Sequence, residues 1–587
     1  MPKWAQDSFG SGLDLCARRQ PGCGRSGSRD TSGDAGKPNY GRVLLLTFAD
    51  YGEGAVMFHS ETSTKIASLC ASLLAHTPNI VDDVVATAHY GLVEFDPDLT
   101  TSAEIQALLQ KLANEPAPVK RSKRRFIVEM TLDGEDLNDL YAFSGVAQDE
   151  LAEHLGGHIF TVAHFGFSPG FIYLEGLDPK FHIPRKAKPR TKVPAGSVAI
   201  GGSYLGIYSS ETPGGWSLIG GSPTSLFDPS KTPPTDLLPG DEIEFHIVNA
   251  LAEAPIDTLG TRASRSAPRE FPIVLRAEKV QGSALLEDLG RKMSGYWAVP
   301  RAGAIDIWSH RSANALVGNP PGLAAVEFSP GETIFTVLGD CVLATTGSVR
   351  QIELDGGEIA ANRSFLAPAN SQLVIRTGGS GSYSYLGVAG GFWAPLQFQS
   401  RSRDILAGIG PPAISAGDVL FRGTPHGPPR DHIRVQNRSI HTIRTTAGPH
   451  FAQFDPPDVA GFLAGEFRVS QMTSRVGIRL EGAAISQNPG RGLTESQPLV
   501  RGAIQVPPSG EPMVMLADHP ATGGYPVIAV VVAADLGVVG QARPGDPLHF
   551  EIIESPAALK GLRERKTIQE SQVFGYRTYD ELRGLGY

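Results

Sequence analysis

Two widely separated stretches of this chain are written almost alike: "TPGGWSLIG" from Thr212 and "ATGGYPVIA" from Ala521. Each has the same frame. Upstream lie "VPAGSVAI" from Val193 and "VPPSGEPMVML" from Val506; downstream lie "PGDEIEF" from Pro239 and "PGDPLHF" from Pro544. Three matches in one order imply an internal duplication, with small changes of loop length between the copies. The period is too long for a solenoid. The chain is thereby constrained to carry two related β domains in tandem.

Other properties agree with that constraint. A chain of 587 residues has room for two to four domains. Its 68 Gly and 45 Pro favour short strands and turns over long helices. A net charge of −9 argues against a broad electrostatic grip on nucleic acid. Cys16, Cys23, Cys70 and Cys341 are scattered without metal-ligand spacing and read as free thiols of a reducing cytoplasm. No apolar run reaches the length of a membrane span, and residues 1–40 lack the apolar core of a secretory signal. A cytoplasmic protein is therefore expected, with residues 1–40 as a disordered tail.

The expected fold class is mainly β with α+β parts. Residues 41–120 alternate strand and helix: a buried strand at "RVLLLTF" (42–48), a helix at 64–76, a strand at 91–97 and a helix at 101–115. Together they make a small α+β domain. Residues 121–248, after the basic run "VKRSKRR" (119–125), hold the first copy of the duplicated β domain, with a short helix at 147–156. Residues 249–271 are polar and aperiodic, a linker. Residues 272–400 open a further β domain whose main helix is "SHRSANALVGN" (309–319). Residues 401–554 hold the second copy, preceded by a looped-out Pro-, Gly- and Arg-rich stretch at 399–445. Residues 555–587 are a polar, partly helical tail or docking segment.

Several strings could carry chemistry. "HFGFSPGFIYLEGLDP" (164–179) sets aromatics among Gly and Pro, a pocket wall or a tight corner. Arg185 and Arg190 lie beside prolines on a stiff loop, which suits a carboxylate or phosphate because guanidinium binds oxyanions in a bidentate fork. "LLEDLGRKMSGYWAVPRAGAID" (285–306) brings Asp288 and Arg291 close in sequence, and "SRVGIRLEG" (474–482) does the same for Arg475 and Arg479. Asp518 and His519 stand beside the second Gly-Gly turn, Gly523 and Gly524, and His519 is the best single candidate for proton transfer. "GFSPG" (166–170) fits a nucleophile elbow at Ser168 only literally: Pro169 has no N–H to help form an oxyanion hole. No P-loop, H-E-x-x-H or C-x-x-C string occurs, and no Met-Lys dipeptide of a biotin-attachment motif.

The run "GFSPGFIYLEGLDPKFHIPRKAKPRTKVPAGSVAIGG", with "GIYSSETPGGWSLIGG" and "PGDEIEF", resembles the family called allophanate hydrolase subunit 1, also known as the B component of 5-oxoprolinase. "EDLGR", "VPRAGAID", "SANALVGNPPGLAAVE", "YLGVAGGFWAP", "RVGIRLEG" and "GAIQVPPSGEPMVMLADHPATGGYP" resemble allophanate hydrolase subunit 2, the C component of 5-oxoprolinase. The resemblance covers about residues 42–552 and identifies a fusion of both. It implies that the tandem domains are cyclophilin-like β barrels. Departures from the family pattern are Gly221 where an arginine is expected, Glu287 for Gln, Gln399 and Arg403 around Ser400-Arg401-Ser402, and Ser348 for Ala.

Two reactions go with this resemblance. One is ATP-dependent opening of the 5-oxoproline lactam to glutamate, with a separate third subunit and with Mg²⁺ accompanying ATP. The alternative is the carboxyltransferase part of a biotin-dependent urea (or similar amide) carboxylase, as in urea amidolyase. A regulatory protein that inhibits a sensor kinase is a third expectation, of another class. Both reactions act on a small amide and ask for oxyanion binding; neither involves nucleic acid or membrane, and a homo-oligomer is compatible with both. The site is expected where the two copies face each other. Arg185, Arg190, Tyr208 and Trp216 come from one side; Asp288, Arg291, Arg475, Arg479, Asp518, His519, Gly523, Gly524 and Tyr525 come from the other. No metal-ligand cluster is legible.

Overall fold

The computed structural model describes residues 46–77, 79–115, 123–186, 188, 190–223, 226–251, 270–434, 442–486, 495–578 and 581–582. The expected tail at 1–40, Cys16 and Cys23, and most of the linker at 249–271 lie outside the described residues, as does the beginning of the basic run.

Four strands, 47–50, 55–59, 90–95 and 81–86 in spatial order, form the N-terminal sheet. Helices Ser63–His76 and Ser102–Asn114 cover it, burying Ile66, Leu69, Leu73, Ile105 and Leu109 against Val56, Val84 and Val93. The second helix starts on a capping box. The Thr101 hydroxyl accepts from the Glu104 N–H while the Glu104 carboxylate accepts from the Thr101 N–H, satisfying two donors that a helix start otherwise leaves unpaired. Of the strand expected at 42–48, residues 42–45 lie outside the described residues; Leu46 is buried, and the strand seen, Thr47–Asp50, lies at the sheet edge with Thr47 exposed.

The duplication in the sequence is a duplication of topology. In the first copy seven strands are neighbours in the order 217–221, 197–201, 204–207, 172–175, 159–165, 242–247 and 125–130. In the second the order is 527–531, 503–505, 513–515, 477–481, 467–473, 547–552 and 442–447, and the last strand closes the barrel by pairing with the first. Every junction is antiparallel except the final one, which is parallel in both copies. The first copy makes its corresponding closing contacts just past its last strand: the Thr131 and Gly134 N–H groups donate to the carbonyls of Gly221 and Ile219 at 2.9 and 3.2 Å.

This correspondence corrects one reading of the sequence. Val193-Pro194 precedes the strand at 197–201, whereas Val506-Pro507 follows the equivalent strand at 503–505. The two Val-Pro pairs are not equivalent. Gly196 and Gly502 are: both have positive φ, 79° and 89°, and their N–H groups donate to the carbonyls of Tyr208 and Met515, which sit at matching places.

Between the barrels, a seven-stranded and a five-stranded sheet share one core that includes Phe328, Phe335, Phe365 and Leu386, with helix Ile307–Leu316 alongside. Residues 435–441 lie outside the described residues; the rest of the stretch 399–445 does not loop out. Strand Val419–Arg422 pairs with 273–280, and Arg430–Ile433 pairs with Val573–Tyr576. A boundary at residue 400 therefore cuts through a sheet, because short strands bracketed by Gly and Pro carry too few residues to show a period. The C-terminal segment docks as helix Ser555–Ser571. Among the described residues no helix is long and apolar enough to cross a membrane.

Candidate functional site

The two copies meet through a common apolar core. Phe165, Ile172 and Ile200 of the first share one cluster with Leu499, Val500, Met515, Ala521 and Val527 of the second. At its edge the turn Gly166–Gly170 reaches the other barrel. Phe167, held at φ 65°, donates its N–H to the Thr522 hydroxyl at 3.2 Å. The Ser168 hydroxyl is buried with no hydrogen-bond partner, in a turn rather than at a strand-to-helix elbow.

Beside this contact lies a cavity of about 350 Å³. His164, Tyr173 and Tyr204 form its aromatic wall, Gly201 and Gly202 bring backbone to its surface, and Glu495 and Ser496 close it from the other half. The strand pairing explains the wall: His164 and Tyr173 are register partners on adjacent strands, so their rings stack, 4.3 Å apart and 17° from parallel. Trp216 stands edge-on to Tyr173 at 5.3 Å, and Gly201 makes room for it, since a Cβ there would lie 2.4 Å from the indole. Burial, with a smaller push from His89, holds His164 down at about 3, so its imidazole is neutral; its Nδ1 has no hydrogen-bond partner. Arg185 lines the same cavity. Its guanidinium lies 5.8 Å from the Trp216 ring and forms no ion pair among the described residues.

The remaining sequence candidates are placed elsewhere. Arg190 is neutralised by Asp136 at 2.7 Å and Glu135 at 2.8 Å. Tyr208 is buried, its hydroxyl pushed up to about 12 by burial. Arg479 pairs with Glu511 at 3.6 Å, on a half-exposed stretch of barrel. Tyr525 is 42% exposed, and its carbonyl accepts from Gln505. Gly523 lies in a two-residue strand paired with Gln497, and Gly524 faces open space.

Asp288, Arg291, Arg475 and Asp518 come together, but in the interior. Arg475 holds Asp518 through two bonds of 2.9 and 2.8 Å, contacts Glu327, and lies 3.3 Å from Glu287; all four side chains are buried. Asp288 accepts from the hydroxyls of Ser400 and Ser402 at 2.7 and 2.6 Å and from the Arg401 N–H. Arg291 donates to the Ser402 carbonyl, and its Nε and Nη1 have no hydrogen-bond partner. Burial drives Glu287 far above the usual carboxylate range against the pull of Arg475, and raises Asp404 to about 7 with help from Asp518. His519 borders this cluster. Burial lowers it to about 4, and its Nδ1 contacts the Pro520 carbonyl at 2.9 Å. The arrangement anchors the second barrel onto the sandwich at Glu287 and Glu327. Sequence reasoning passed over His164, Tyr173, Tyr204, Glu327 and Asp404. The first two lay inside the string already singled out, and their alternation on paired strands was the available signal.

The tandem barrels and the cavity between them define a carboxyltransferase-type, cyclophilin-like protein. Residues 46–237 match the family described as "Carboxyltransferase domain, subdomain C and D", and residues 297–552 match "Carboxyltransferase domain, subdomain A and B". The chain is 35% identical over 201 residues to the B component of 5-oxoprolinase from Escherichia coli O157:H7, covering 33% of this chain and 92% of that protein. It is 31% identical over 288 residues to the C component of 5-oxoprolinase from Escherichia coli K12, covering 48% of this chain and 92% of the relative. The solved structure of TTHA0988 superposes with a TM-score of 0.76 at 33% identity, covering 86% of this chain and 100% of the other. The chain belongs to the families of the 5-oxoprolinase B and C components and carries both in one polypeptide.

Proposed function

We propose that this chain is the fused B and C component of an ATP-dependent 5-oxoprolinase, working in the cytoplasm with a separate third subunit to open the lactam to glutamate. One observation carries the reading. The two halves are related to two components of a single enzyme, and the cavity draws its walls from both halves.

The cavity suits a small cyclic amide acid. Its volume lies at the low end for small-molecule sites, enough for one ring but not for a nucleotide as well. Arg185, without a carboxylate partner among the described residues, binds the substrate carboxylate. Tyr173 and Tyr204, their rings 83° apart, offer the ring an aromatic corner. Neutral His164 places an uncharged ring in the wall, and the Gly201-Gly202 backbone allows close approach. ATP supplies the driving force by phosphorylating the unreactive amide oxygen. Mg²⁺ travels with the nucleotide phosphates, as it does in most phosphoryl-transfer sites.

The test is ADP release by the purified chain with its third subunit, with and without 5-oxoproline. Oxoproline-stimulated ADP release with one glutamate per ADP is the expected result. No stimulation would overturn it and move the weight to carboxyl transfer, the chemistry for which the matched family is named; free biotin and urea would then be the ligands to titrate.

A further inference from the structure

We propose that a second, smaller cavity, remote in sequence from the motifs above, binds a small oxyanion and thereby fastens the C-terminal helix. This inference goes beyond the lactamase reading and does not depend on it. The cavity holds about 80 Å³ between helix Ile307–Leu316, helix Ser555–Ser571 and the chain at Thr346 and Asn362. That is room for a group of a few heavy atoms and too little for a nucleotide.

Its charges have one sign. Arg434 and Arg565 border it, and no carboxylate does among the described residues; Asn362 adds an amide whose Oδ1 has no partner among them. Trp308 forms part of the wall, with the guanidiniums of Arg565 and Arg311 each 5.5 Å from its ring, while that of Arg434 lies 5.8 Å from the Phe574 ring. Stacking of this kind fixes the plane of the Arg434 guanidinium and leaves its N–H edge to find an acceptor. Arg434 forms no ion pair among the described residues. Ser312 and Thr346 of the lining donate to the carbonyls of Trp308 and Ser309, at 2.8 and 2.7 Å, so their protons are taken, while the Ser312 oxygen accepts from Gln569 at 3.3 Å. Two neutral donors of the wall, Trp308 Nε1 and Gln572 Nε2, are buried without a partner among the described residues. Unpaired donors beside the Arg434 charge are costly, and an oxyanion answers both.

Occupancy has a mechanical consequence. Helix Ser555–Ser571 already reaches the N-terminal domain, where Arg563 pairs with Asp98 at 3.0 Å and Lys566 contacts the same carboxylate. On its other side Gln569 donates to the Trp308 carbonyl at 2.7 Å. An oxyanion between Arg565 and Arg434 completes this second attachment, joining the helix to the strand that ends at Ile433. A phosphate and a carboxylate share the required chemistry.

The test uses the full chain, titrated with sodium phosphate and separately with sodium glutamate at constant ionic strength made up with chloride. The readouts are the thermal midpoint and hydrogen exchange of residues 555–571. A saturable rise in midpoint with slowed exchange in that helix is expected from phosphate, glutamate or both, and the active anion identifies the source. Arg434→Gln weakens the response at least tenfold, Arg434→Lys weakens it less, and Arg479→Gln, which lines neither cavity, leaves it intact. Absence of a saturable response to either anion overturns the proposal. So does a response retained in full by both Arg434 variants, or one abolished by Arg479→Gln.

Discussion

The two barrels share a strand order and differ in what one pair of loops does. In each copy the loop after the second strand in sequence touches the loop that precedes the Gly-Gly turn. In the first copy the Ser209 hydroxyl donates to the Pro169 carbonyl, a single neutral contact, and the aromatic wall of the cavity comes from the strands of that copy. In the second the same two loops are joined by Arg475 and Asp518, and Arg475 continues into the carboxylates of Glu287 and Glu327. The same scaffold thus builds a cavity wall once and a buried ionic anchor once. The difference teaches that a basic residue in a glycine-rich loop is not thereby a ligand-binding residue. What faces it decides, and three distant segments face Arg475.

The comparison breaks most visibly at the anchor. Arg475→Met leaves Glu287, Glu327 and Asp518 buried without their cation, and removing one partner of such a cluster costs about 3–5 kcal/mol. Ser209→Ala, at the equivalent contact, removes one neutral hydrogen bond worth about 0.5–1.5 kcal/mol. Denaturant midpoints of the two variants should differ widely; equal losses would show that the buried cluster is no anchor.

The halves also differ in the direction of their pH response. His164, in the first, is held at about 3 by burial, so below about pH 6.5 the unfolded chain takes a proton that the native imidazole refuses. Its contribution is complete above that pH and is lost as pH falls toward 3. Asp404, in the second, is raised to about 7, chiefly by burial and next by Asp518, against Arg291 and Arg475. Its contribution is complete below the ordinary carboxylate range and is lost as pH rises through about 7. Each limb has a slope of up to about 1.4 kcal/mol per pH unit. The stability of Asp404→Asn relative to the parent should therefore climb between about pH 4 and 7, and that of His164→Gln should climb as pH falls below about 6.5. Parallel curves for parent and variant would remove the assigned group from the pH dependence.

Much of this architecture was legible because it is local or repeated. The Gly-Gly-aromatic turns, the Pro-Gly-Asp strands and the Thr101 capping box are short strings whose geometry follows from their own residues. The Val-Pro equivalence failed because two similar dipeptides fell on opposite sides of equivalent strands. The cavity was only half legible: Arg185 and Trp216 stood out by type, whereas His164, Tyr173 and Tyr204 become a wall only once three strands are placed in register. Asp288 and Arg475 were legible as a charged set but not as a buried one, since their partners Ser400, Ser402, Glu327 and Asp518 arrive from distant segments.

On the open side of the comparison, Arg185→Gln should act on the ligand and not on the fold. Loss of one charge-assisted contact is worth about 1.5–3 kcal/mol, so KM for 5-oxoproline should rise by about one to two orders of magnitude while the thermal midpoint stays within a degree or so. A midpoint lowered as far as in Arg475→Met would make Arg185 structural.

The smallest effects lie in the repeated turn itself, and they grade by what each glycine faces. None of Gly214, Gly523 and Gly524 has a left-handed φ, so space rather than conformation decides. A Cβ on Gly214 would lie 2.3 Å from the Tyr208 hydroxyl and 2.9 Å from its ring carbon, and Tyr208 is too buried to give way. Gly214→Ala should cost about 1–3 kcal/mol. At Gly523 the close atoms, 2.6 and 2.7 Å away, are the ends of Leu499 and Gln505, flexible chains although both are buried, so Gly523→Ala should cost somewhat less. At Gly524 nothing among the described residues lies within 4 Å. There alanine only narrows the unfolded ensemble, and Gly524→Ala should be neutral or stabilising by up to about 1 kcal/mol. The first glycine of each turn is thus kept for a side chain packed against it, and the second glycine of the later turn for no packing reason; a marked loss of stability in Gly524→Ala would reverse that assignment.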